Sequence, residues 1–150
     1  MIDIDLSRRA PLRLGVARDD DVRWYRDTPA ERIRGVDLGD VARKSARARI
    51  THPDRGVVAD IDVVIASDAA TARGLVDGSF DESAGKTIVY VGTPAGLAGL
   101  IADIYTLGIA DGAVLIPSGQ GVAELIHDAV LPALQMMDLL ADPISQALPA

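Results

Sequence analysis

The last third of the chain alternates between segments typical of β-strands and segments typical of α-helices. Residues 87–91 are rich in β-branched side chains, and Thr93-Pro94 then begins a helix, since Thr caps helix N-termini well and Pro fits the first helical position. Residues 113–116 predict the next strand and residues 122–135 the next helix, which Pro132 should bend or divide. Strands joined through helices pair in parallel, with right-handed crossovers. This order therefore predicts an α/β fold.

Two further strands are predicted upstream of this unit. Residues 57–66 consist mainly of β-branched and other apolar side chains, and Ser67 or Asp68 should cap a helix over residues 69–76. Residues 12–17 predict the first strand. The length of 150 residues and the 49% hydrophobic content suit one compact domain, residues 1–150. The predicted fold class is α/β: half of a TIM-type barrel, or an open parallel sheet of about four strands flanked by helices.

Residues 18–55 carry three signals for helix N-termini, in which an Asp or Thr precedes a run compatible with a helix. The predicted caps are Asp20 or Asp21 for a short helix ending at Tyr25, Thr28 followed by Pro29 for a second helix, and Asp37 or Asp40 for a third helix over residues 41–50. His52-Pro53 should end the third helix, because Pro disfavours a helical conformation of the residue before it.

The charge balance and the residue types argue against several classes of function. A formal net charge of −7 disfavours a nucleic-acid partner, which normally needs a concentrated basic surface. The chain has no cysteine, which excludes disulfides, thiolate metal sites and a cysteine nucleophile. No apolar stretch approaches the ~18–20 residues of a membrane span, and residues 1–5 lack the basic start of a signal peptide. We therefore expect a cytoplasmic protein without a membrane partner.

Loops that leave the carboxyl ends of parallel strands form the face on which binding sites are built. This face should carry Gly92-Thr93 after one strand and Ser118-Gly119-Gln120-Gly121 after another. The second loop combines two glycines with two hydrogen-bonding side chains ahead of a helix, which suits an anion, and free N–H groups beside Thr93 could hold a phosphate. The candidate cofactor-binding residues are therefore Gly92, Thr93, Ser118, Gly119 and Gln120.

A structural explanation competes with the binding role of the first segment. Thr93 is a normal helix cap, and Gly96 and Gly99 would allow close packing of the helix that follows. The spacing of Gly92, Gly96 and Gly99 also departs from the dinucleotide-binding pattern.

Other motifs favour structural roles. Gly85-Lys86-Thr87 ends like a phosphate-binding P-loop, but the earlier glycine is missing and a strand follows in place of a helix. Asp19-Asp20-Asp21 has no His or Glu partner, so we assign no metal site. We interpret His127 and the basic residues within 43–49 as surface, and Trp24-Tyr25 as packing or interface residues. No catalytic residue is assigned.

Three segments together carry a family resemblance. They are Val89-Tyr90-Val91-Gly92-Thr93-Pro94, Gly108-Ile109-Ala110-Asp111-Gly112 and Val130-Leu131-Pro132-Ala133-Leu134-Gln135. In this order they resemble the C-terminal end of bacterial luciferase-like monooxygenases, which commonly read V-G-T/S-P, a helix, G-V-D-G-F, a strand and a V-x-P-x-L-Q helix. Residues 60–72 and 12–17 look like the preceding unit and the first barrel strand. The resemblance covers residues 57–135 and 11–17.

The resemblance implies an oxidoreductase ancestry on a (β/α)₈ barrel, with FMN or the deazaflavin F420 as cofactor. A complete barrel takes about 250 residues and eight strands, whereas this chain offers about half as many strands. Ala113 stands where the family has Phe, and Met136-Met137 stands where the family has a basic pair.

Three functions are compatible with these observations. The first is a truncated, non-catalytic luciferase-like protein that pairs with a second copy or with a full-length homologue to cover its strand edges. The second is a flavin- or F420-dependent oxidoreductase, or monooxygenase, whose site is completed by oligomerisation. The third is an α/β domain that binds a small anionic ligand.

Overall fold

The computed structural model of the protein describes residues 11–19, 21–25, 30–76 and 87–139. Its elements in chain order are β1 (Arg13–Arg18), β2 (Asp21–Trp24), β3 (Glu31–Ile33), α1 (Leu38–Thr51), β4 (Val57–Ile65), α2 (Ala69–Val76), β5 (Ile88–Gly92), α3 (Pro94–Thr106), β6 (Gly112–Pro117), α4 (Val122–Leu125), a π-helical turn (Ile126–Val130) and α5 (Leu131–Met136). The last three elements are continuous, and together they are called the last helix below.

The described strands form one sheet with a parallel interior and one antiparallel edge. Its order is β2-β1-β6-β4-β3, and β5 pairs with the same side of β4 as β3, further along the strand. Five strands run parallel, and β2 pairs antiparallel with β1. The curled sheet, flanked by helices, is half of a barrel, which confirms the predicted fold class. The sheet also contains more strands than the sequence predicted.

The central strand β4 supplies most of the hydrophobic core. Alternate side chains along a strand point to the same face of the sheet, and this face of β4 packs under the helices. The fully buried side chains of this core include Val57, Ala59, Ile61, Val63, Ile65, Leu97, Ile101, Ile104, Leu115, Val130 and Leu134. Leu97, Ile101 and Ile104 therefore place one face of α3 in this core.

Three helices begin at the caps that the sequence predicts. The Asp37 side chain accepts a hydrogen bond from the Asp40 backbone N–H at the start of α1. The Asp68 carboxylate accepts one from the Thr71 N–H at the start of α2, and the Thr93 hydroxyl accepts one from the Gly96 N–H at the start of α3. These short contacts depend on local sequence alone, which is why they could be predicted.

Asp111 ties together three elements at the end of the sheet where the parallel strands begin. Its carboxylate accepts a hydrogen bond from the Val57 backbone N–H at 2.9 Å and pairs with Arg49 of α1 at 3.2 Å. Its backbone carbonyl accepts from the Arg13 N–H at 2.9 Å. The aspartate in the Gly108–Gly112 segment therefore has a structural role.

Two of the predicted helices are wrong, because strands occupy their positions. Asp21 begins β2, which forms a hairpin with β1, and Asp19 in the connecting turn has a φ of 55°. A two-residue hairpin turn favours such left-handed conformations, which Asp tolerates. Glu31 lies in β3, which pairs with β4. Pairing with distant strands overrides the local preference in both cases.

The hydrogen bonding of the last helix changes next to Pro132, the residue predicted to bend or divide it. Pro has no N–H to donate and its ring crowds the preceding turn. The helix widens immediately before this residue, where the Leu131 N–H donates to the Ile126 carbonyl to close the π-helical turn.

Some predictions fall on parts of the chain that the structure leaves undescribed. They include the helix start at Thr28, Gly85-Lys86 and the C-terminal tail from residue 140 onward. Within the described ranges, no helix has the length and apolar character needed to cross a membrane.

Candidate functional site

The carboxyl ends of three parallel strands lie level at one edge of the sheet. The Ala66 N–H, after β4, donates to the Gly92 carbonyl at the end of β5, and the Ser118 N–H, after β6, donates to the Val63 carbonyl. β5 and β6 therefore lie on opposite sides of β4. With neighbouring strands about 4.8 Å apart, the Gly92-Thr93 and Ser118–Gly121 segments are separated by the width of β4, about 10 Å.

Gly92 and Thr93 are explained by packing and capping. A Cβ on Gly92 would lie 2.6 Å from the Tyr90 hydroxyl oxygen, and one on Gly96 would lie 2.0 Å from it. That hydroxyl donates to the Thr93 carbonyl at 3.2 Å. The glycines therefore make room for the Tyr90 side chain. Gly99 differs, because no atom lies within 4 Å of its ideal Cβ position, so close packing does not require a glycine there.

The loop after β6 has a backbone that favours glycine at two positions. Gly119 and Gly121 have φ angles of 103° and 84°, conformations that favour glycine. Gly121 precedes α4, and no side chain caps that helix start. Gln120 is exposed and Ser118 is half-buried. This segment brings two polar side chains and uncapped backbone donors to the carboxyl edge of the sheet.

Several other polar residues have structural partners. His127 is exposed on the last helix, where its Nδ1 lies 3.1 Å from the Asp128 carboxylate. On α1, Arg43 and Lys44 pair with Asp40, which is the predicted solvated surface. Across residues 11–19, 21–25, 30–76 and 87–139, no three His, Cys, Asp or Glu side chains lie close enough to hold a metal ion.

A buried carboxylate on β4 holds two arginines, one within β3 and one just after it. The Asp60 side chain is fully buried, and its two oxygens accept hydrogen bonds from Arg32 Nε at 2.8 Å and Arg34 Nε at 3.0 Å. Both arginines extend to the surface, with 34% and 62% of their side chains exposed. Asp60 therefore fixes two cations beside the sheet.

Asp62 lies two residues further along β4, on the same face as Asp60. Partial burial raises the pKa of Asp62; the cation of Arg34 lowers this pKa, and the nearby carboxylate of Asp60 raises it further. The folded protein therefore binds the Asp62 proton more tightly than the unfolded chain does. Between the ordinary carboxyl pKa of 3.8 and the raised value, stability falls as the pH rises.

We expect the Asp62→Asn variant to be more stable than the wild type at neutral pH, because Asn removes the cost of ionising this half-buried group. The difference in the free energy of unfolding should shrink as the pH falls below the ordinary carboxyl range, where Asp62 is protonated in both states. Urea denaturation across pH 3–7 measures this difference. Asp54→Asn, at an exposed turn, is the matched control; an equal pH trend in both variants would contradict the assignment.

The sequence contains a pattern of alternating charged residues that corresponds to these contacts. Arg32 and Arg34 alternate in one segment, and Asp60 and Asp62 alternate in another. Such alternation indicates side chains on one face of a strand. The signal becomes readable only when β3 is known to pair with β4, because the two segments are far apart in the chain.

Comparison with known proteins gives a likeness of fold. No protein-family model matches the chain, and no curated protein matches it. Among solved structures, an EDTA monooxygenase from Chelativorans sp. BNC1 superposes with a TM-score of 0.56 and 17% identity, covering 69% of this chain and 38% of that one. A long-chain alkane monooxygenase superposes with a TM-score of 0.58 and 15% identity, covering 74% of this chain and 37% of that one.

Both of these structures are luciferase-like monooxygenases. The chain spans well under half of their lengths. One departure concerns strand order, since a regular (β/α)₈ barrel places consecutive strands side by side, whereas β4 separates β5 from β6 here. The chain therefore resembles, in fold alone, part of these two luciferase-like monooxygenases.

Proposed function

We propose that this chain is a non-catalytic, self-associating subunit built on a partial luciferase-like fold. The observation that carries the proposal is a group of exposed apolar side chains at the end of the sheet where the parallel strands begin. This basal patch consists of Ile50, Leu107, Met136 and Met137, whose exposed fractions are 82%, 71%, 87% and 44%.

Helix ends bring these side chains to one end of the molecule. Arg49, next to Ile50, donates to the carbonyl of Gly108, next to Leu107, at 3.1 Å, so the C-terminal ends of α1 and α3 are adjacent. The last helix packs against α3 and, like α3, starts at a carboxyl end of the sheet. Met136, the final residue of α5, therefore lies toward the same end as Leu107.

A second copy of the chain is the partner that fits this surface. Single exposed apolar residues are ordinary, but a group of them marks an interaction site. A two-fold axis would place the basal patch against itself. Full burial of each such side chain contributes about 1.5–3 kcal/mol, so two patches together offset an association cost of about 4–15 kcal/mol.

The β2 edge also supports association. Among the described strands, β2 pairs only with β1, so no described strand covers its outer side. Open edges of this kind are usually covered in a working assembly.

A charge placed in the basal patch should break the assembly. We expect Ile50→Lys and Leu107→Lys each to weaken self-association by about tenfold or more, since each buries a charge at the interface. Val36→Lys is the matched control, because Val36 is 58% exposed at the opposite end of α1. Sedimentation velocity measures all of these variants; equal association constants for Leu107→Lys and Val36→Lys would exclude the basal patch.

A flavin- or F420-dependent oxidoreductase is the second candidate. The observation that favours it is the Ser118–Gly121 loop, where two positive φ angles and an uncapped helix start accompany two polar side chains. This loop would hold the phosphate end of FMN or F420, about 10 Å from Gly92 and Thr93 across β4.

Fluorescence titration tests this second candidate. If FMN or F420 binds, Ser118→Ala/Gln120→Ala should weaken the binding by about tenfold, the value of one lost charge-assisted hydrogen bond. Ser67→Ala, at the end of neighbouring β4, is the control. An absence of saturable binding by either cofactor would exclude the candidate, and equal affinities of the variants would remove this loop from the site.

A further inference from the structure

A groove of about 710 Å³ lies between the β1–β2 hairpin and the last helix. Its apolar wall includes Leu14 and Val16 of β1, and Ile126 and Leu131 of the last helix. The volume falls within the range of about 300–1,000 Å³ that is typical of sites for small molecules. None of the residues that line the groove belongs to the Ser118–Gly121 loop or to the basal patch, so the inference does not rest on the proposed function.

Two exposed arginines lie on the hairpin wall. Val16 is opposite Arg23, and Arg18 is opposite Asp21, so Arg18 and Arg23 are diagonal neighbours on the face that carries Val16. Both arginines line the groove and are exposed. Within the described part of the chain, neither forms an ion pair or a side-chain hydrogen bond. Two neighbouring guanidinium groups suit one carboxylate.

The opposite wall limits the charge of the ligand. Glu124, His127 and Asp128 of the last helix also line the groove. Glu124 and Asp128 add negative charge there, which would repel a second acid group, while His127 lies against Asp128 at 3.1 Å. A ligand with one acid group at the arginines and an uncharged body along the apolar wall fits both sides of the groove.

We propose that this groove binds a small amphipathic monocarboxylate, with its carboxylate held by Arg18 and Arg23. The apolar body of the ligand lies against Val16, Ile126 and Leu131. Tyr25 and Gln135 connect the two walls, since Gln135 Nε2 donates to the Tyr25 hydroxyl at 3.2 Å. This contact fixes the spacing of the hairpin and the last helix before a ligand enters.

Decanoate is a suitable probe, because it joins one carboxylate to an apolar chain. The protein contains one Trp, and Trp24 lines the groove, so its emission should report binding directly. We expect saturable 1:1 binding by isothermal titration calorimetry, with a matching change in Trp24 emission. Decan-1-ol, which has the same chain without the charge, should bind at least about tenfold more weakly.

Two double variants distinguish binding by the groove arginines from a general effect of the net charge of the protein. Arg18→Gln/Arg23→Gln should weaken decanoate binding by about tenfold or more, since hydrogen bonds to charged groups are lost. Arg47→Gln/Arg55→Gln changes the net charge equally at exposed positions outside the groove and should leave the affinity unchanged. The proposal is overturned if decanoate shows no saturable binding, if decan-1-ol binds equally well, or if both double variants lose the same affinity.

Discussion

Replacing both Arg32 and Arg34 with Met should lower the free energy of unfolding by about 3–5 kcal/mol, because it leaves the Asp60 carboxylate buried without a partner. Asp60 is fully buried, and these two arginines are its hydrogen-bond donors at 2.8 and 3.0 Å. The long apolar stem of Met preserves much of the packing of each arginine, so the loss reports mainly the missing charge contacts. Urea denaturation followed by circular dichroism measures it.

The matched control removes the carboxylate as well. In the Arg32→Met/Arg34→Met background, Asp60→Val should recover most of the lost stability, because a buried ionic group replaced by apolar residues is often neutral or stabilising. Val also suits a central strand. Exposed ion pairs typically contribute up to about 1 kcal/mol. If the free energy of unfolding of Arg32→Met/Arg34→Met falls by less than this amount, the contacts of Asp60 with the two arginines behave as surface ion pairs.

The second large effect is expected at Gly112. Its ideal Cβ would lie 1.7 Å from the Arg13 carbonyl oxygen and 2.6 Å from the Arg13 carbonyl carbon. These are backbone atoms of β1, and Arg13 is opposite Gly112 in the parallel pair of β1 and β6. Gly112→Ala should therefore push the two strands apart and cost about 3 kcal/mol, the upper end for overpacking.

Gly99→Ala is the control, and it should change the stability of the protein in the opposite direction. Gly99 lies within α3, and its ideal Cβ has no neighbour within 4 Å. Alanine is more favourable than glycine in a helix by about 0.5–1 kcal/mol, so this variant should be more stable than the wild type. Thermal unfolding of both variants tests the pair, and a loss of stability in Gly99→Ala equal to that in Gly112→Ala would contradict the packing described here.

The parts of the fold that depend on local sequence could be predicted. Asp37, Asp68 and Thr93 act as caps because the contacts lie within one helical turn of each residue. β4 was predictable because six of its nine residues are Val or Ile. The βαβα order of the last third then determined the α/β class.

The parts that depend on distant contacts could not be predicted. β2 and β3 lie where local preference favours helix starts, and they are strands because β1 and β4 pair with them. The contacts of Asp60 with Arg32 and Arg34 depend on the same pairing of β3 with β4. The order of the strands in the sheet could not be predicted either, because nothing in the sequence of β5 or β6 indicates that β4 lies between them.

Because β4 lies between β5 and β6, the two segments of the candidate cofactor site lie apart. Gly92 and Thr93 are held by Tyr90, whereas the Ser118–Gly121 loop keeps its unusual backbone without such a partner among the described side chains. Of the five candidate residues, those of the second loop therefore remain the stronger prediction.

The mass of the protein in solution tests the self-associating role most directly. Multi-angle light scattering on the wild-type chain, run over a range of concentrations, should give a mass that rises from that of one 15.7 kDa chain toward twice that value or more. The basal patch is the surface that should bring the copies together. A constant mass of 15.7 kDa at every concentration would contradict the proposed function.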